Sequence, residues 1–531
     1  MSVINIKKPR LRWLFGGVGF HNSEATMTAL MSEKQKNEIF LKTFREISPT
    51  YSRVFAGYAD WTKEAMDAFA DYYDLTFRNA DTLLYVVPGR IPMFNSDFNI
   101  EEYSEKVALN LEYLIKERNC TKIRYYCATN ELSVGNTYAY LSNRLELFKE
   151  LHENLYKAFK RHNLDIGLLA TDCSGVENYG QIEWATQNID EITECYCAHL
   201  YSAKYAPGDL NAYKYYSNSF SSVVAQALQK EKRFTLGEYG IITPDGKKKS
   251  PMRNDSSYGV DLPDNDGIFA IGLCEMAMAA INSGCFSAVS WTMFDYPDPF
   301  IRENADSKEG KAKYDAARFS GHGIDIRYNK HGMVKWCDDD NDYGSRAALY
   351  AMGYMAKLFK KGTRVLKSSW EDENIRCCAV TCPDGSISIA VINWSEQENS
   401  VSFNIEHKID KPLRKYEYKA GSIPFNSFND LQYYSELIEV KEQSFSAILP
   451  AKSVTFLTSD YVDRVPSTIK GIKYSKGKLT WKPSADPEHC YYRVYCNGKQ
   501  IASTVAEYVY AEKPANYQVY SVDKYGNCQD K

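Results

Sequence analysis

The feature that most constrains this fold is an alternation of short apolar segments with amphipathic helical patterns, from the start of the chain to about residue 361. Regular succession of strand and helix is typical of a parallel sheet with helices packed outside it. Eight segments have the length and composition of strands: 12–17, 52–57, 82–87, 122–129, 166–171, 194–201, 233–238 and 287–292. Eight strand–helix units over some 360 residues predict an α/β fold, a (β/α)₈ (TIM) barrel with long loops.

The helical segments support this prediction. Apolar residues spaced three and four apart run from Leu141 to Phe159, and a second such pattern begins at Ile268 and stops at Ser283. A last helix is predicted from 346 to about 360, with Gly362 as its C-terminal stop. The structural alternative, a doubly wound open sheet, usually carries a G-x-G-x-x-G phosphate turn after its first strand, and the glycines at 16–19 lack that spacing.

Beyond the barrel segment the pattern changes to short strands and turns without helical period. Residues 362–462 are predicted to form an antiparallel β-sandwich, punctuated by the turn Pro383-Asp384-Gly385. Residues 463–531 are predicted to form a second, smaller β domain, in which Asn497-Gly498 is the turn of a hairpin. The catalytic barrel itself is assigned to residues 1–361.

Charge and hydropathy exclude several classes of partner. The chain has 64 Lys and Arg against 68 Asp and Glu, so neither a nucleic acid nor an anionic membrane surface is expected to bind it. No apolar run approaches the roughly 18 residues that a membrane span needs. Aromatic residues make up 14% of the chain and include 41 tyrosines. Most are expected to fill the core, but aromatic faces also suit the apolar faces of sugar rings. The sequence does not address the oligomeric state.

Cysteine usage favours a reducing compartment. The 14 cysteines show no framework spacing, and several lie within predicted strands. The basic N-terminus is followed by a short apolar stretch that breaks at Gly16, unlike a signal peptide. We therefore expect a cytoplasmic protein; the alternative is a secreted one whose signal peptide is absent from this sequence.

Two glutamates stand where a barrel of this kind places its reacting groups, at the carboxyl ends of the strands. Strand four ends in Asn130-Glu131, and strand seven ends in Gly237-Glu238. Retaining glycoside hydrolysis needs such a pair: one carboxylate attacks the anomeric carbon, and the other protonates the leaving oxygen and then deprotonates water. In that mechanism the two carboxyl groups lie about 5–5.5 Å apart.

These motifs make the barrel resemble clan A of the glycoside hydrolases, whose signature is Asn-Glu after strand four and Glu after strand seven. The resemblance implies that Glu131 is the general acid/base, Glu238 the nucleophile and Asn130 the partner of the sugar 2-hydroxyl. It further implies substrate-site roles for four residues: Arg53, which holds the nucleophile ionised, His199 and Tyr201, which border it, and Trp291, which forms the floor beneath the sugar.

The resemblance extends past the barrel. Gly-Glu-Tyr-Gly at 237–240 is similar to family 5, while the barrel followed by a sandwich is similar to families 30 and 39. The last domain resembles a fibronectin type III module. The long segment 295–343 after strand eight matches no family pattern. Neither a cofactor nor a metal is implied for the reaction.

Other residues near the strand ends are further candidates for sugar contact. They are His21 and Asn22 after strand one, Asp60-Trp61 after strand two, and Arg90 and Asn95 after strand three, with loop polarity as the competing explanation. Cys195, Cys197 and His199 share one strand face, as a zinc site would require. However, alternate residues over five positions span about 13 Å, too far for three ligands of one ion, so the cysteines are expected to fill the barrel.

The sequence therefore predicts a retaining glycoside hydrolase that acts on β-linked oligosaccharides or other glycosides. Long segments after strands seven and eight (241–266 and 295–343) favour a closed pocket and removal of terminal sugars. The alternatives are an endo-acting glycanase, a non-catalytic carbohydrate-binding protein on a glycosidase barrel, and a transglycosylase. The presence of both glutamates argues against the binding-only alternative, because such a protein has no need for the acid/base carboxylate.

Overall fold

The computed structural model describes residues 2–9, 13–22, 31–88, 98–133, 144–202, 204–241, 266–300, 325–329, 332–335 and 343–530, with the backbone alone for 266, 296–300 and 325–329. Eight parallel strands close into a barrel. Its strands are β2 (Gly17–His21), β3 (Tyr51–Phe55), β4 (Leu83–Val87), β5 (Ile123–Cys127), β6 (Gly167–Ser174), β7 (Cys195–Ser202), β8 (Arg233–Ile241) and β9 (Ser287–Ser290). The predicted (β/α)₈ barrel is confirmed.

A helix follows each of these strands. α1 comprises the contiguous helical stretches Glu33–Gln35, Lys36–Phe40 and Leu41–Ile47; the others are α2 (Lys63–Thr76), α3 (Ile100–Glu112, extended by Tyr113–Glu117), α4 (Leu145–Arg161), α5 (Gly180–Asn188), α6 (Leu210–Gln229), α7 (Asp266–Ser283) and α8 (Ala347–Leu358). Side-chain caps begin several of them; Thr62 accepts from the backbone of Ala65 at the start of α2, for example. Among the described helices, none has the length and apolarity needed to span a bilayer.

The first barrel strand lies later than the sequence predicts. The apolar stretch up to Phe15 resembles a strand, but Phe15 exchanges backbone hydrogen bonds with Gly362 and Thr363, where the chain leaves α8. The first strand of the barrel is instead β2. Its Gly19 lies so close to the Tyr51 carbonyl of the neighbouring strand that no Cβ would fit between them. The prediction of 12–17 is therefore wrong by about five residues, and His21 becomes the last residue of the strand.

The inside of the barrel is filled mainly by aromatic residues and cysteines. Tyr51, Tyr85 and Tyr125 pack there with Cys195 and Cys197 in one buried cluster. Each lies on a strand whose alternate residues face inward. The interpretation of these cysteines as barrel filling is confirmed.

The sandwich contains a strand from the beginning of the chain. It is formed by β1 (Ser2–Pro9), β12 (Arg364–Trp370), β13 (Ile375–Thr381), β14 (Ile387–Asn393), β15 (Asn399–Ile405), β16 (Leu413–Lys419), β17 (Glu436–Ile438), β18 (Ser444–Leu449) and β19 (Ser453–Thr458). β1 pairs antiparallel with β12 and parallel with β15. Residues 2–9, predicted as part of the barrel domain, thus belong to the sandwich, because Ile4 and Ile6 complete its apolar core.

Two short strands follow β9 in the segment that matched no pattern: β10 (Tyr296–Phe300) and β11 (Asp325–Asn329) form an antiparallel ribbon. The last domain has two three-stranded sheets. One contains β20 (Lys473–Ser475), β21 (Lys478–Thr480) and β24 (Tyr508–Tyr510); the other contains β22 (His489–Cys496), β23 (Lys499–Thr504) and β25 (Tyr517–Asp523). The predicted Asn497-Gly498 turn joins β22 to β23, and both residues have the positive φ that such hairpin turns require.

This last domain packs directly on the barrel. The Tyr491 hydroxyl donates to Glu46 of α1 over 3.0 Å, and the buried Lys42 ammonium lies 2.7 Å from Glu46 and 2.6 Å from Asp430. Asp430 in turn accepts from Gln500 of the last domain. One buried ionic cluster therefore joins the barrel, the sandwich and the last domain.

Candidate active site

The two predicted glutamates meet at the carboxyl-terminal mouth of the barrel. Glu131 follows β5 and has a left-handed backbone conformation (φ 55°), and Glu238 lies within β8. A carboxylate oxygen of Glu131 and one of Glu238 lie within 4.8 Å of each other. The side chain of Glu131 is 21% exposed and that of Glu238 is 6% exposed, so Glu238 lies deeper in the site.

Arg53 is the cation beneath this pair. It is fully buried, and its guanidinium donates to the Glu238 carboxylate, to Oδ1 of Asn130, and to Oδ2 of Asp172 over 3.1 Å. Burial opposes its charge, but Glu238 and Asp172 outweigh this effect and raise its pKa, so the group stays cationic. The predicted neighbours Arg53, Asn130 and Glu238 are therefore brought together.

His199 lies between the two glutamates. Its register partner across β7 and β8 is Glu238, and its Nδ1 is 3.2 Å from Oε1 of Glu131 and 3.6 Å from Oε2 of Glu238. Its Nε2 is 2.8 Å from Oδ1 of Asp172. Burial alone would lower the pKa of the imidazole, but the charges of Asp172 and Glu238 and hydrogen bonds to Asp172 and Glu131 raise it to about 10.

Tyr201 completes the contacts of Glu238. Its hydroxyl donates to Oε2 over 2.6 Å. The tyrosine ring lies against Gly240, where an added Cβ would approach two ring carbons at 2.9 and 3.0 Å. The second glycine of the Gly-Glu-Tyr-Gly sequence thus makes room for the ring whose hydroxyl holds the glutamate.

Trp291 borders the site together with His21 and Phe55. The indole is half-buried, with its ring centroid 4.3 Å from that of His21 and 5.7 Å from that of Phe55. His21 is 1% exposed and its Nδ1 is 3.3 Å from Arg53. Burial, Arg53 and His199 lower the pKa of His21 well below its usual value, so the ring is neutral. His21 therefore packs against Trp291 and lies beside Arg53; sugar contact by His21 stays a prediction.

Asp172 is the site residue that sequence reasoning missed. It is fully buried, with φ 59°, and is the extra residue where the register of β6 against β7 shifts between Thr171 and Cys173. Such a bulge re-aims a side chain. Burial works against ionisation, but His199 and Arg53 hold the pKa of Asp172 well below its usual range. The sequence signal that could have identified Asp172 is its place as a polar residue directly after the predicted strand 166–171.

The other candidates have different outcomes. Trp61 packs between Tyr58 and Phe69, with ring centroids at 5.4 and 5.6 Å, against the helix that follows its strand; sugar contact by Trp61 stays a prediction. Asn22 is buried, and its amide donates to Ser52. Arg90 and Asn95 lie outside the described residues.

Two groups of side chains in the described part of the chain bring three metal-ligand atoms within 4.8 Å of one another: Cys127, Asp172 and Cys197, and Glu131, His199 and Glu238. Both include atoms already committed to hydrogen bonds. The Asp172 carboxylate accepts from Arg53, Tyr85 and His199, and Glu238 accepts from Arg53 and Tyr201. The arrangement is that of an ion-paired carboxylate site.

No protein-family model matches the sequence, and the search of curated proteins gave no match. Solved structures do resemble the chain. A GH30 endoxylanase from Clostridium papyrosolvens aligns with a TM-score of 0.56 and 11% identity over 86% of this chain and 99% of its own. The GH30 xylanase C catalytic domain from Talaromyces cellulolyticus gives 0.57 and 13%, over 86% and 99%.

An α-L-arabinofuranosidase from Thermotoga maritima, in complex with arabinose, gives a TM-score of 0.58 and 11% identity over 86% of this chain and 99% of its own. At such identities the likeness is one of fold. It covers the closed parallel barrel and the β domain that accompanies it. The predicted resemblance to glycoside hydrolase barrels is confirmed at that level.

Proposed function

We propose that the chain is a retaining glycoside hydrolase that acts on β-linked oligosaccharides or glycosides, with Glu238 as nucleophile and Glu131 as general acid/base. The observation that carries the proposal is the approach of the two carboxylates to within 4.8 Å at one barrel mouth. This close approach of one oxygen from each carboxylate supports a retaining reaction, whose carboxyl groups lie about 5–5.5 Å apart, over an inverting one, whose carboxyl groups lie about 6.5–9.5 Å apart.

The contacts of each glutamate fit its proposed role. Glu238 is nearly buried and accepts hydrogen bonds from Arg53 and Tyr201, which fix the carboxylate in place as a nucleophile requires. Glu131 is more exposed, as a group must be if it first donates a proton to a leaving oxygen and then takes one from water. No cofactor has a role in these steps.

Substrate positioning falls to the remaining residues of the site. Asn130 Oδ1 accepts from Arg53, so its amide nitrogen remains to donate to a sugar hydroxyl. The half-buried face of Trp291 suits the apolar face of the sugar at the reacting subsite. We assign both residues to the substrate rather than to the chemistry.

Removal of terminal sugars is the mode of action that we propose first, because the long segments after the seventh and eighth barrel strands favour a closed pocket. Of these segments, 242–265 and 301–324 lie outside the described residues. Endo-cleavage is the second candidate. The fold likeness to two xylanases, one of them an endoxylanase by name, favours it. Pentosides therefore belong among the first substrates tested.

A reducing, cytoplasmic compartment is part of the proposal. The thirteen cysteines in the described part of the chain are all free thiols, and twelve of them are buried. Free thiols in such number suit a compartment that keeps them reduced.

The decisive experiment is hydrolysis of a panel of aryl β- and α-glycosides, including β-xylosides and α-L-arabinofuranosides, by wild type and Glu238→Gln in parallel. Activity in the wild type that disappears in the variant supports the proposal; Glu150→Gln, at an exposed position of α4, is the matched control. NMR of the first-formed anomer tests retention, and an inverted product would reject the covalent mechanism. Equal activity in wild type and Glu238→Gln would end the assignment of the nucleophile.

Replacement of the acid tests the second role. Glu131→Ala is expected to slow hydrolysis of substrates with poor leaving groups by about 10²–10⁴-fold, the usual contribution of general acid catalysis. Dinitrophenyl glycosides, whose leaving group needs little protonation, are expected to lose far less in their first step. Equal losses for good and poor leaving groups would contradict the acid role.

A further inference from the structure

A buried carboxylate beneath the two glutamates organises the cations of the site. Oδ1 of Asp172 accepts from the Tyr85 hydroxyl at 2.6 Å and from His199 Nε2 at 2.8 Å, and Oδ2 accepts from Arg53 at 3.1 Å. Asp172 and its three partners are each closed off from solvent. Asp172 lies below the groups that react, so its effect must pass through its partners.

The chain is shaped to make this contact. Asp172 occupies a bulge in β6, and the facing strand β8 has its own register shift, where Leu236 and Glu238 pair with adjacent residues of β7 and Gly237 is left over. A Cβ on Gly237 would lie 2.9 Å from Oδ1 of Asp172 and 3.2 Å from Nε2 of His199. Gly237 therefore leaves space for the hydrogen bond between Asp172 and His199.

Both ring nitrogens of His199 face carboxylates. Nε2 faces Asp172, and Nδ1 faces Glu131 and, at 3.6 Å, Glu238. An ionised carboxylate only accepts hydrogen bonds, so whenever both glutamates are ionised each ring nitrogen needs a proton to satisfy the carboxylate that it faces. Several charged or titratable groups surround the ring in the described part of the chain: Asp172, Glu131, Glu238, Arg53, His21, Tyr85 and Tyr201.

We propose that Asp172 is a positioning residue that keeps His199 as an imidazolium, with the Nδ1 proton directed at Glu131 and Glu238. In this arrangement two cations, Arg53 and His199, face the glutamate pair. The negative charge of the buried Asp172 balances one of these two positive charges. The catalytic role of Asp172 rests on the proposed function, whereas the protonation state of His199 rests on the geometry alone.

The consequence lies in the charge of the pair. When Glu131 has given up its proton, two carboxylates stand within 4.8 Å and repel each other. The Nδ1 proton of His199 is near both and offsets that repulsion without leaving the ring. A neutral histidine in the same place would offer a lone pair to one of the glutamates instead.

The test is a ¹⁵N NMR titration of the imidazole nitrogens in the full chain, with the His199 signals assigned from their absence in His199→Gln. In wild type, both nitrogens are expected to remain protonated from pH 5 to 9, since the pKa of His199 is raised to about 10. In Asp172→Asn the pKa of His199 is expected to fall by about 1–3 units, the usual effect of removing one close opposite charge. A wild-type ring that titrates near pH 6.5 would overturn the proposal.

Matched variants separate charge from packing. Tyr85→Phe removes another hydrogen bond to Oδ1 of Asp172 but keeps the carboxylate, so His199 is expected to stay protonated. Gly237→Ala keeps every charge but crowds the Asp172–His199 contact, and is expected to lower the pKa of His199. An equal response to Tyr85→Phe and Asp172→Asn would mean that the site is merely loosened, and would refute the role of the charge.

A kinetic measurement connects this state to the chemistry. On a glycoside that the wild type hydrolyses, the kcat/KM profile of Asp172→Asn should gain a step at the pH where NMR shows His199 to titrate, while Tyr85→Phe keeps the wild-type profile. A loss of activity that is the same at every pH would assign Asp172 a structural role only. If the wild type hydrolyses no glycoside, the proposed function fails, and the NMR titration alone still decides the state of His199.

Discussion

Arg53 offers the sharpest test of how the site works, because charge and geometry can be removed from it separately. Its guanidinium donates to three acceptors, on Glu238, Asn130 and Asp172. A lysine keeps the charge but has a single compact ammonium in place of the planar fork. Arg53→Lys therefore loses at least one charge-assisted hydrogen bond, a cost of about 1.5–3 kcal/mol, or about 10- to 150-fold in kcat/KM.

Arg53→Met also removes the charge. For unit charges about 4 Å apart at the effective dielectric constant of protein sites, near 20, the lost attraction is about 4 kcal/mol, or about 10³-fold. The methionine variant is therefore expected to lie about three orders of magnitude below the lysine variant. Because Arg53 is fully buried, its loss also leaves Glu238 and Asp172 without one of their two cations, which costs about 3–5 kcal/mol of folding stability.

The assay is kcat/KM on the best aryl glycoside of the panel, measured well below the melting temperature of each variant. Circular dichroism at the assay temperature establishes that each variant is folded. Arg53→Lys activity within threefold of wild type would show that the fork geometry does not matter. Equal activity of the lysine and methionine variants would show that the charge does not.

Three further predictions concern stability and packing. Lys42→Met leaves Asp430 buried without its ammonium partner, and is expected to lower the free energy of unfolding by about 3–5 kcal/mol in urea denaturation. The pKa of His199 is raised to about 10 from an ordinary 6.5, so the stability that this residue contributes is complete below pH 6.5 and is lost as the pH rises towards 10. The free energy of unfolding is therefore expected to fall by roughly 1.4 kcal/mol per pH unit in that range, and His199→Gln should reduce this fall. Gly240→Ala pushes the tyrosine ring that holds the nucleophile and should lower kcat/KM by up to about 100-fold, whereas Gly180→Ala, with open space around it, should not.

The barrel was predictable because its strands are short, apolar and regularly separated by helices. Seven of the eight predicted strands begin within one residue of their observed counterparts, and the strand-end rule then located Glu131 and Glu238. The first strand was missed because its two glycines weaken the strand pattern, while the preceding apolar stretch imitates one. Similarly, β1 pairs with strands some 360–400 residues away, and no local pattern records such a partner.

Asp172 illustrates a different limit. Its position after a strand is visible in the sequence, but the bulge that turns it inward is defined by the register between β6 and β7. The register is a property of two paired strands, so it cannot be predicted from the alternation of apolar and polar residues along one of them. The same holds for His21, whose contact with Trp291 follows from the residue at which β2 ends rather than from its neighbours in sequence.

The Gly-Glu-Tyr-Gly sequence shows what can be learned once both levels are known. Read alone, it marks Glu238 and leaves its glycines unexplained. In the structure, Gly237 makes room for the contact between Asp172 and His199, and Gly240 makes room for the ring of Tyr201. Each glycine therefore leaves space for a side chain that contacts one or both glutamates, His199 at Gly237 and Tyr201 at Gly240. The motif thus specifies the neighbours of the Glu238 carboxylate as well as the carboxylate itself. A barrel with the same two glutamates but larger residues at 237 and 240 would have to support them by other contacts.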